Sequence, residues 1–215
     1  MRPVFRPAAA LAALSMAACS PATSSARSGT TTPSPAEQVR ADSGLMAWTD
    51  ADVRFMQGMI LHHAQAIQIA GWADGHGASQ TVRVLAGRIV VSQQDEINIM
   101  ATWLRDRRQS VPDTGSAHLA MPGMDHGAQA PGMLSATQLA QLDAARGTEF
   151  DRLFMTFMIQ HHRGALVMVQ TLLGSTGAAQ QPRVFKIASD MHADQEAEID
   201  RMTQMLQQQS GGRTP

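Results

Sequence analysis

The chain has 215 residues, with 17 basic and 18 acidic side chains and a formal net charge of −1. This balance provides no basic field for nucleic acid, and the single cysteine excludes internal disulfide bonds and thiolate metal clusters. The soft and borderline metal donors that remain are 15 methionines and eight histidines.

Residues 1–18 have the composition of an export signal. Arg2 and Arg6 precede an apolar stretch that is too short to span a bilayer as a retained helix. Cys19 follows, as in a bacterial lipoprotein signal, where the cysteine is lipidated and anchors the mature chain to the cell envelope. A plain secretory signal cleaved near Ala18 is the alternative. Both interpretations predict a location outside the cytoplasm.

The next segment, residues 19–44, is rich in Ser, Thr, Pro and Gly and is predicted to be a flexible tether. A single folded domain is expected over residues 45–208. Apolar residues recur at helical spacing over about 49–72, where Thr49 is a plausible N-cap, and again over about 79–108.

A loop rich in Pro, Gly, Met and His is predicted over residues 111–134. Met121, Met124 and His126 lie close together in it and have no core to fill if the loop is not helical. They predict a mobile capture site for copper, with a low-complexity linker as the alternative.

A third helix is predicted from the capping-box signature at Ser135 and Gln138 to about Leu173. Pro182 suits the first turn of a fourth helix, which is predicted to end near Gln208. No window alternates in the manner of a strand. The predicted secondary structure is therefore entirely helical.

The chain contains an internal repeat. Residues 52–70 and 151–169 are identical at eight of nineteen aligned positions, and the partner helices match again at 91–104 and 193–206. Repeat one covers residues 48–108 and repeat two covers residues 135–208. Two amphipathic helical hairpins bury most apolar surface by packing together, so the duplication predicts an all-α four-helix bundle. The identities are Asp52/Asp151, Phe55/Phe154, Met56/Met155, Met59/Met158, Ile60/Ile159, His62/His161, His63/His162 and Ala66/Ala165, followed by Gln93/Gln195, Glu96/Glu198, Ile97/Ile199, Met100/Met202 and Leu104/Leu206.

The repeated motif places soft donors on one helix face. At 100° per residue, Met56, Met59 and His63 share a face, and His62 lies on its flank. The second copy repeats this arrangement. Thioether and imidazole together suit Cu(I), and imidazole also accepts Cu(II). The candidate metal ligands are Met56, Met59, His62, His63, Met155, Met158, His161 and His162.

Four carboxylates accompany these donors: Asp52, Glu96, Asp151 and Glu198. They are either direct ligands or partners that orient the histidine rings. Glu96 and Glu198 have a third interpretation, as polar contacts between helices.

Ordinary core packing is the main alternative, because methionine at helical spacing usually fills a core and a lone buried histidine is usually only hydrogen-bonded. A His/carboxylate di-metal bundle for storage or redox chemistry, and an envelope interaction module without metal, also remain. The chain lacks Glu-x-x-His, His-Glu-x-x-His and Gly-x-Ser-x-Gly patterns, so no catalytic activity is expected.

The Asp-x-x-Phe-Met-x-x-Met-Ile-x-His-His-x-x-Ala pattern, which begins at Asp52 and again at Asp151, resembles the bacterial family known as domain of unknown function 305. The resemblance covers about residues 45–208. It implies a ferritin-like four-helix bundle, usually exported, with copper binding at the matching Met and His positions. It also implies copper ions, and other copper-handling proteins of the envelope, as partners.

Overall fold

The computed structural model describes residues 47–115 and 130–211, and every regular element in these ranges is a helix. The predicted all-α fold is confirmed. The expectations for Cys19, Met121, Met124 and His126 concern residues outside these ranges. The helices are α1 (Asp50–Ala70), α2 (Gln80–Asp106), α3 (Ala136–Ala144), α4 (Gly147–Gly174) and α5 (Pro182–Gly211).

Local sequence signals determine where the helices begin. Thr49 caps α1 in a capping box, accepting from the Asp52 backbone N–H while the Asp52 carboxylate accepts from the Thr49 backbone N–H. Ser135 and Gln138 form the equivalent box at α3. Pro182 is the first residue of α5, where its missing N–H costs nothing.

The prediction of one continuous third helix is wrong, because the chain breaks between α3 and α4. Ala145 and Arg146 are extended, and Gly147 has a φ of 57°, in the left-handed region that favours glycine. His76, in the turn between α1 and α2, contacts both sides of this break. Its carbonyl accepts from the Gly147 N–H at 2.9 Å, and its ring contacts the Asp143 carbonyl at 3.0 Å. The interruption is therefore set by a contact from the other hairpin.

The helices pack as two hairpins, α1 with α2 and α4 with α5, joined through α1 against α4, with α3 lying on α4. The core has two apolar clusters. One contains the start of α4 and the start of α2, and the other contains the start of α1 and the end of α2. The buried motif histidines belong to neither cluster and lie between them along the sequence of α1 and α4. No helix in the described ranges is both long and apolar enough to cross a bilayer.

The two motif aspartates clamp the hairpins to each other. Asp52 in α1 accepts from the Ala179 N–H at 2.7 Å, in the turn between α4 and α5. Asp151 in α4 accepts from the Ser79 N–H at 3.1 Å, in the turn between α1 and α2. Each repeat therefore secures the turn of the other repeat, which explains why the motif carries an aspartate at this position.

Candidate metal centre

The four motif histidines form a row across the bundle. His62 and His161, from α1 and α4, meet with ring centroids 3.8 Å apart. His63 and His162 lie to either side, 6.4 Å and 6.3 Å from the neighbouring ring on their own helix. All four are fully buried, so the structure brings together the imidazoles that the sequence marked as candidate ligands.

Three of the four rings have a polar partner at Nε2. His63 contacts the Glu96 carboxylate at 2.5 Å, and His162 makes the equivalent contact with Glu198, also at 2.5 Å. His62 contacts the carbonyl oxygen of Pro131 at 3.0 Å. The two glutamates therefore serve the same function in both hairpins, as ring partners on the neighbouring helix.

The remaining ring nitrogens have no hydrogen-bond partner. They are Nδ1 of His62, His63 and His162, and both nitrogens of His161. Buried polar atoms are normally satisfied, so five unpaired nitrogens in one layer require an explanation. Each of them that carries no proton has a lone pair without a partner.

Burial keeps the two central rings uncharged. It lowers the pKa of His62 to about 3, with a further lowering from the neighbouring His63 and His162 that the Pro131 carbonyl opposes. Burial also lowers the pKa of His161 well below its ordinary value, and the other three histidines add to this effect, which the His62 backbone opposes. Neutral imidazole is the form that binds a metal ion.

The motif methionines are fully buried, but they separate into two groups. Met56 and Met59 share one apolar cluster with Met100, whereas Met155 and Met158 share the other with Met202. Met59 and Met158 each precede a motif histidine by four residues, which places them one helical turn away on the same face. The donors therefore fall into two related half-sites, one for each hairpin, instead of one pooled set of eight.

The structure does not bring Asp52 and Asp151 to the histidines. Each aspartate lies ten residues before the first motif histidine of its helix. Asp52 contacts Thr49 and Ala179, and Asp151 contacts Ser79. Their expected place as ligands or ring partners is corrected to that of structural clamps. Of the four candidate carboxylates, only Glu96 and Glu198 reach a ring.

Sequence reasoning missed a short strap, residues 130–134, that lies over the histidine row. Gln65 holds it by two hydrogen bonds to the Leu134 backbone, at 2.8 Å and 3.1 Å. Gly164, at the aligned position in α4, leaves room for the Pro131 carbonyl, which an added Cβ would overlap. The difference between Gln65 and Gly164 in otherwise matching motifs was the available signal.

The layer meets solvent at the two glutamates. The Glu96 and Glu198 side chains are 15% and 20% exposed, whereas the histidines that they contact are fully enclosed. Glu96 borders an acidic groove of about 280 Å³ between α2 and α5 that also contains Asp95 and Asp194. Burial raises the pKa of Asp194, and the nearby Glu96, Glu198 and Asp190 raise it further.

Two further polar side chains in the core also lack partners. Gln93 and Gln195 are buried at equivalent repeat positions, and the side-chain oxygen of each is unpaired.

Within residues 47–115 and 130–211, no three His, Cys, Asp or Glu side chains are grouped closely enough to hold a metal ion.

The fold and this layer define a class: all-helical bundles made from two similar hairpins that bury paired histidines among methionines. The chain belongs to the family described as domain of unknown function (DUF305), whose model matches residues 52–206. The resemblance noted in the sequence is thereby confirmed.

Solved structures share the fold. A DUF305 fragment from Deinococcus radiodurans is 29% identical, with 75% of this chain and 98% of that chain covered and a TM-score of 0.63. The protein CopM in its Cu(I)-bound form is 31% identical, with 75% and 98% covered and a TM-score of 0.56. CopM has also been solved in Cu(II)-bound and silver-bound forms.

Among curated proteins, an uncharacterised protein of Acanthamoeba polyphaga mimivirus matches at 37% identity over 57 residues. The match covers 26% of this chain and 38% of that protein. It adds a distant relative and no function.

Proposed function

We propose that this protein binds copper in its buried histidine and methionine layer, Cu(I) in preference to Cu(II), in order to sequester, buffer or transfer the ion. The proposal includes no catalytic turnover. The observation that carries it is the group of five unpaired imidazole nitrogens in the core, flanked by two sets of buried thioethers. The metal-bound forms of CopM, a relative of the same fold, support it.

The charge of the layer favours a monovalent ion. Thioethers carry no charge, and burial keeps the two central imidazoles neutral. The acidic group of each half-site is one carboxylate, Glu96 or Glu198, which is mostly buried. A buried charge is costly unless it is compensated. One Cu(I) balances one carboxylate, whereas Cu(II) leaves an excess positive charge in the core. The soft donors favour the same oxidation state.

The thioethers provide the test. Replacing the four motif methionines by leucine keeps the core volume, at a cost of less than about 1.5 kcal/mol for each change. We expect this variant to fold and to lose most of its Cu(I) affinity in competition with a Cu(I) chelator. Met168→Leu with Met205→Leu is the matched control, because both residues are partly buried outside the motif. An unchanged affinity in the four-leucine variant would rule the proposal out.

The carboxylate di-metal alternative predicts the opposite pattern. Such a site would keep its metal in the four-leucine variant, and this result separates it from the thioether site. No suitable group of His and carboxylate side chains exists within the described ranges.

Outside those ranges, we propose that Cys19 is lipidated and that the protein is anchored to the bacterial cell envelope, facing the periplasm or the cell surface. The basic and apolar character of residues 1–18 supports this proposal. A Cys19→Ser variant is expected to leave the membrane fraction. Equal membrane association of the two forms would count against lipidation.

We also propose that Met121, Met124 and His126 capture copper loosely before it enters the bundle. Changing all three to alanine should slow copper loading while the final amount bound stays the same. A loading rate equal to that of the wild type would remove this role.

A further inference from the structure

Three contacts show which ring nitrogen carries the proton. The Pro131 carbonyl can only accept a hydrogen bond, and so can a Glu96 or Glu198 carboxylate that carries no proton. Nε2 must therefore be the N–H donor in His62, His63 and His162. If a carboxyl group were protonated instead, the ring proton would move to Nδ1.

That alternative is unfavourable, because Nδ1 of each of these rings is buried without a partner. A proton there would place a buried N–H where no acceptor exists, and so would a doubly protonated ring. The neutral Nε2–H tautomer leaves a lone pair at Nδ1. In all three rings that nitrogen is buried without a partner.

We propose that Glu96, Glu198 and the Pro131 carbonyl are positioning groups that fix these tautomers, so that copper is bound through Nδ1 of His63, His162 and His62. This inference rests on the proposed function. Histidines that bind metals usually donate their other ring N–H to a carboxylate or a backbone carbonyl, which sets both the tautomer and the ring orientation. The three contacts follow that pattern.

The duplication supports the inference, and so does its one asymmetry. Glu96 and Glu198 occupy equivalent repeat positions and make the same 2.5 Å contact in both hairpins. The strap occurs only once, so His161 lacks the carbonyl that His62 receives, and both of its nitrogens are unpaired. His161 is therefore the one ring of the four that neither a carboxylate nor the strap contacts.

The first test uses the metal-free protein. Ring ¹⁵N chemical shifts of histidine-labelled protein distinguish protonated from unprotonated nitrogens. We expect Nε2–H and bare Nδ1 in His62, His63 and His162. Glu96→Leu should abolish the tautomer preference of His63 and leave that of His162 unchanged, so that the second hairpin reports that the fold is intact. Glu96→Gln keeps an acceptor oxygen and should preserve the preference.

The second test measures Cu(I) affinity in the same variants. Glu96→Leu should weaken it by roughly 10–100-fold, and Glu96→Gln by less than about tenfold. Asp95→Asn removes a charge from the same groove without touching a ring and should have no effect. If Glu96→Gln and Glu96→Leu weaken binding equally, charge alone is responsible and the positioning role is overturned.

The outcomes separate this inference from the proposed function. Copper binding by a wild-type protein whose rings carry the proton on Nδ1 overturns the positioning role alone. A wild-type protein that binds no copper overturns both.

Discussion

At the residue scale, a polar side chain that recurs in both repeats has two explanations. It either belongs to the candidate metal site or makes the same structural hydrogen bond in each repeat. The motif aspartates are the second kind. Asp52 is almost fully buried, and its carboxylate accepts from Thr49 at one end of α1 and from Ala179 in the opposite hairpin. Only the fold distinguishes this role from that of Glu96, because both residues are acidic and both recur in the repeat.

Asp52→Ala should lower the free energy of unfolding by about 2–4 kcal/mol, because it removes a helix cap and a charged hydrogen bond between hairpins. Cu(I) affinity of the folded variant should not change, since Asp52 contacts no histidine. Urea denaturation and chelator competition measure the two quantities. The control is Asp50→Ala, an exposed neighbour in the same turn, with an expected change within about 0.5 kcal/mol. A loss of copper affinity in Asp52→Ala would restore its role at the metal site.

At the element scale, predictions succeeded where the signal is local and failed where it is distant. Thr49, Ser135 and Pro182 act within one helical turn, and the sequence located all three helix starts. The break before α4 depends on His76, some seventy residues earlier in the chain. The strap was missed for a similar reason, because its contact with His62 comes from a backbone carbonyl, and every residue has one.

In the candidate site, too, local signals predicted some features and distant contacts determined the others. Helical periodicity identified the buried face and all eight Met and His candidates on it. It could not assign the methionines to separate clusters, because that depends on how α1 crosses α4. Met100 and Met202 were visible as repeat identities, but only packing places them with the motif methionines.

Glycine substitutions test the strap directly. Gly164→Ala places a Cβ on the Pro131 carbonyl, where the contact is with backbone and cannot be relieved by a side-chain rotation. We expect a loss of about 1–3 kcal/mol in the free energy of unfolding. Gly87→Ala in α2 meets no atom within 4 Å and should instead gain up to about 1 kcal/mol. Thermal denaturation compares them, and equal effects would mean that the strap does not pack tightly on α4.

At the scale of the whole molecule, the bundle has a polar layer in its core where an ordinary bundle would have apolar side chains. The two apolar clusters stabilise the fold, while the histidine row contributes unpaired polar atoms. Such a layer lowers the stability of the metal-free protein. An ion that binds only the folded state increases the free energy of unfolding. If copper binds as proposed, stability and copper occupancy are coupled through the same four rings.

The burial of the histidine row should also make the free energy of unfolding depend on pH. The pKa of His62 in the folded protein is about 3, against 6.5 for an ordinary histidine, and that of His161 is also lowered. Between these pH values the unfolded chain binds protons at both rings that the folded protein does not. The free energy of unfolding should therefore be unaffected by these rings above about pH 6.5 and should fall below it, by about 1.4 kcal/mol per pH unit for each ring.

Urea denaturation of metal-free protein from about pH 7 to about pH 5 measures this slope. His161→Leu is the informative comparison, because it removes one titrating ring that makes none of the hydrogen bonds of the other three. It should raise the stability at neutral pH by about 1–3 kcal/mol, by removing two unsatisfied polar atoms, and should make the pH dependence shallower. Carboxylates remote from the layer contribute equally to both proteins, so the difference between the slopes reports on His161 and on its coupling to the other three histidines. Identical slopes would show that the ring is not kept neutral by burial.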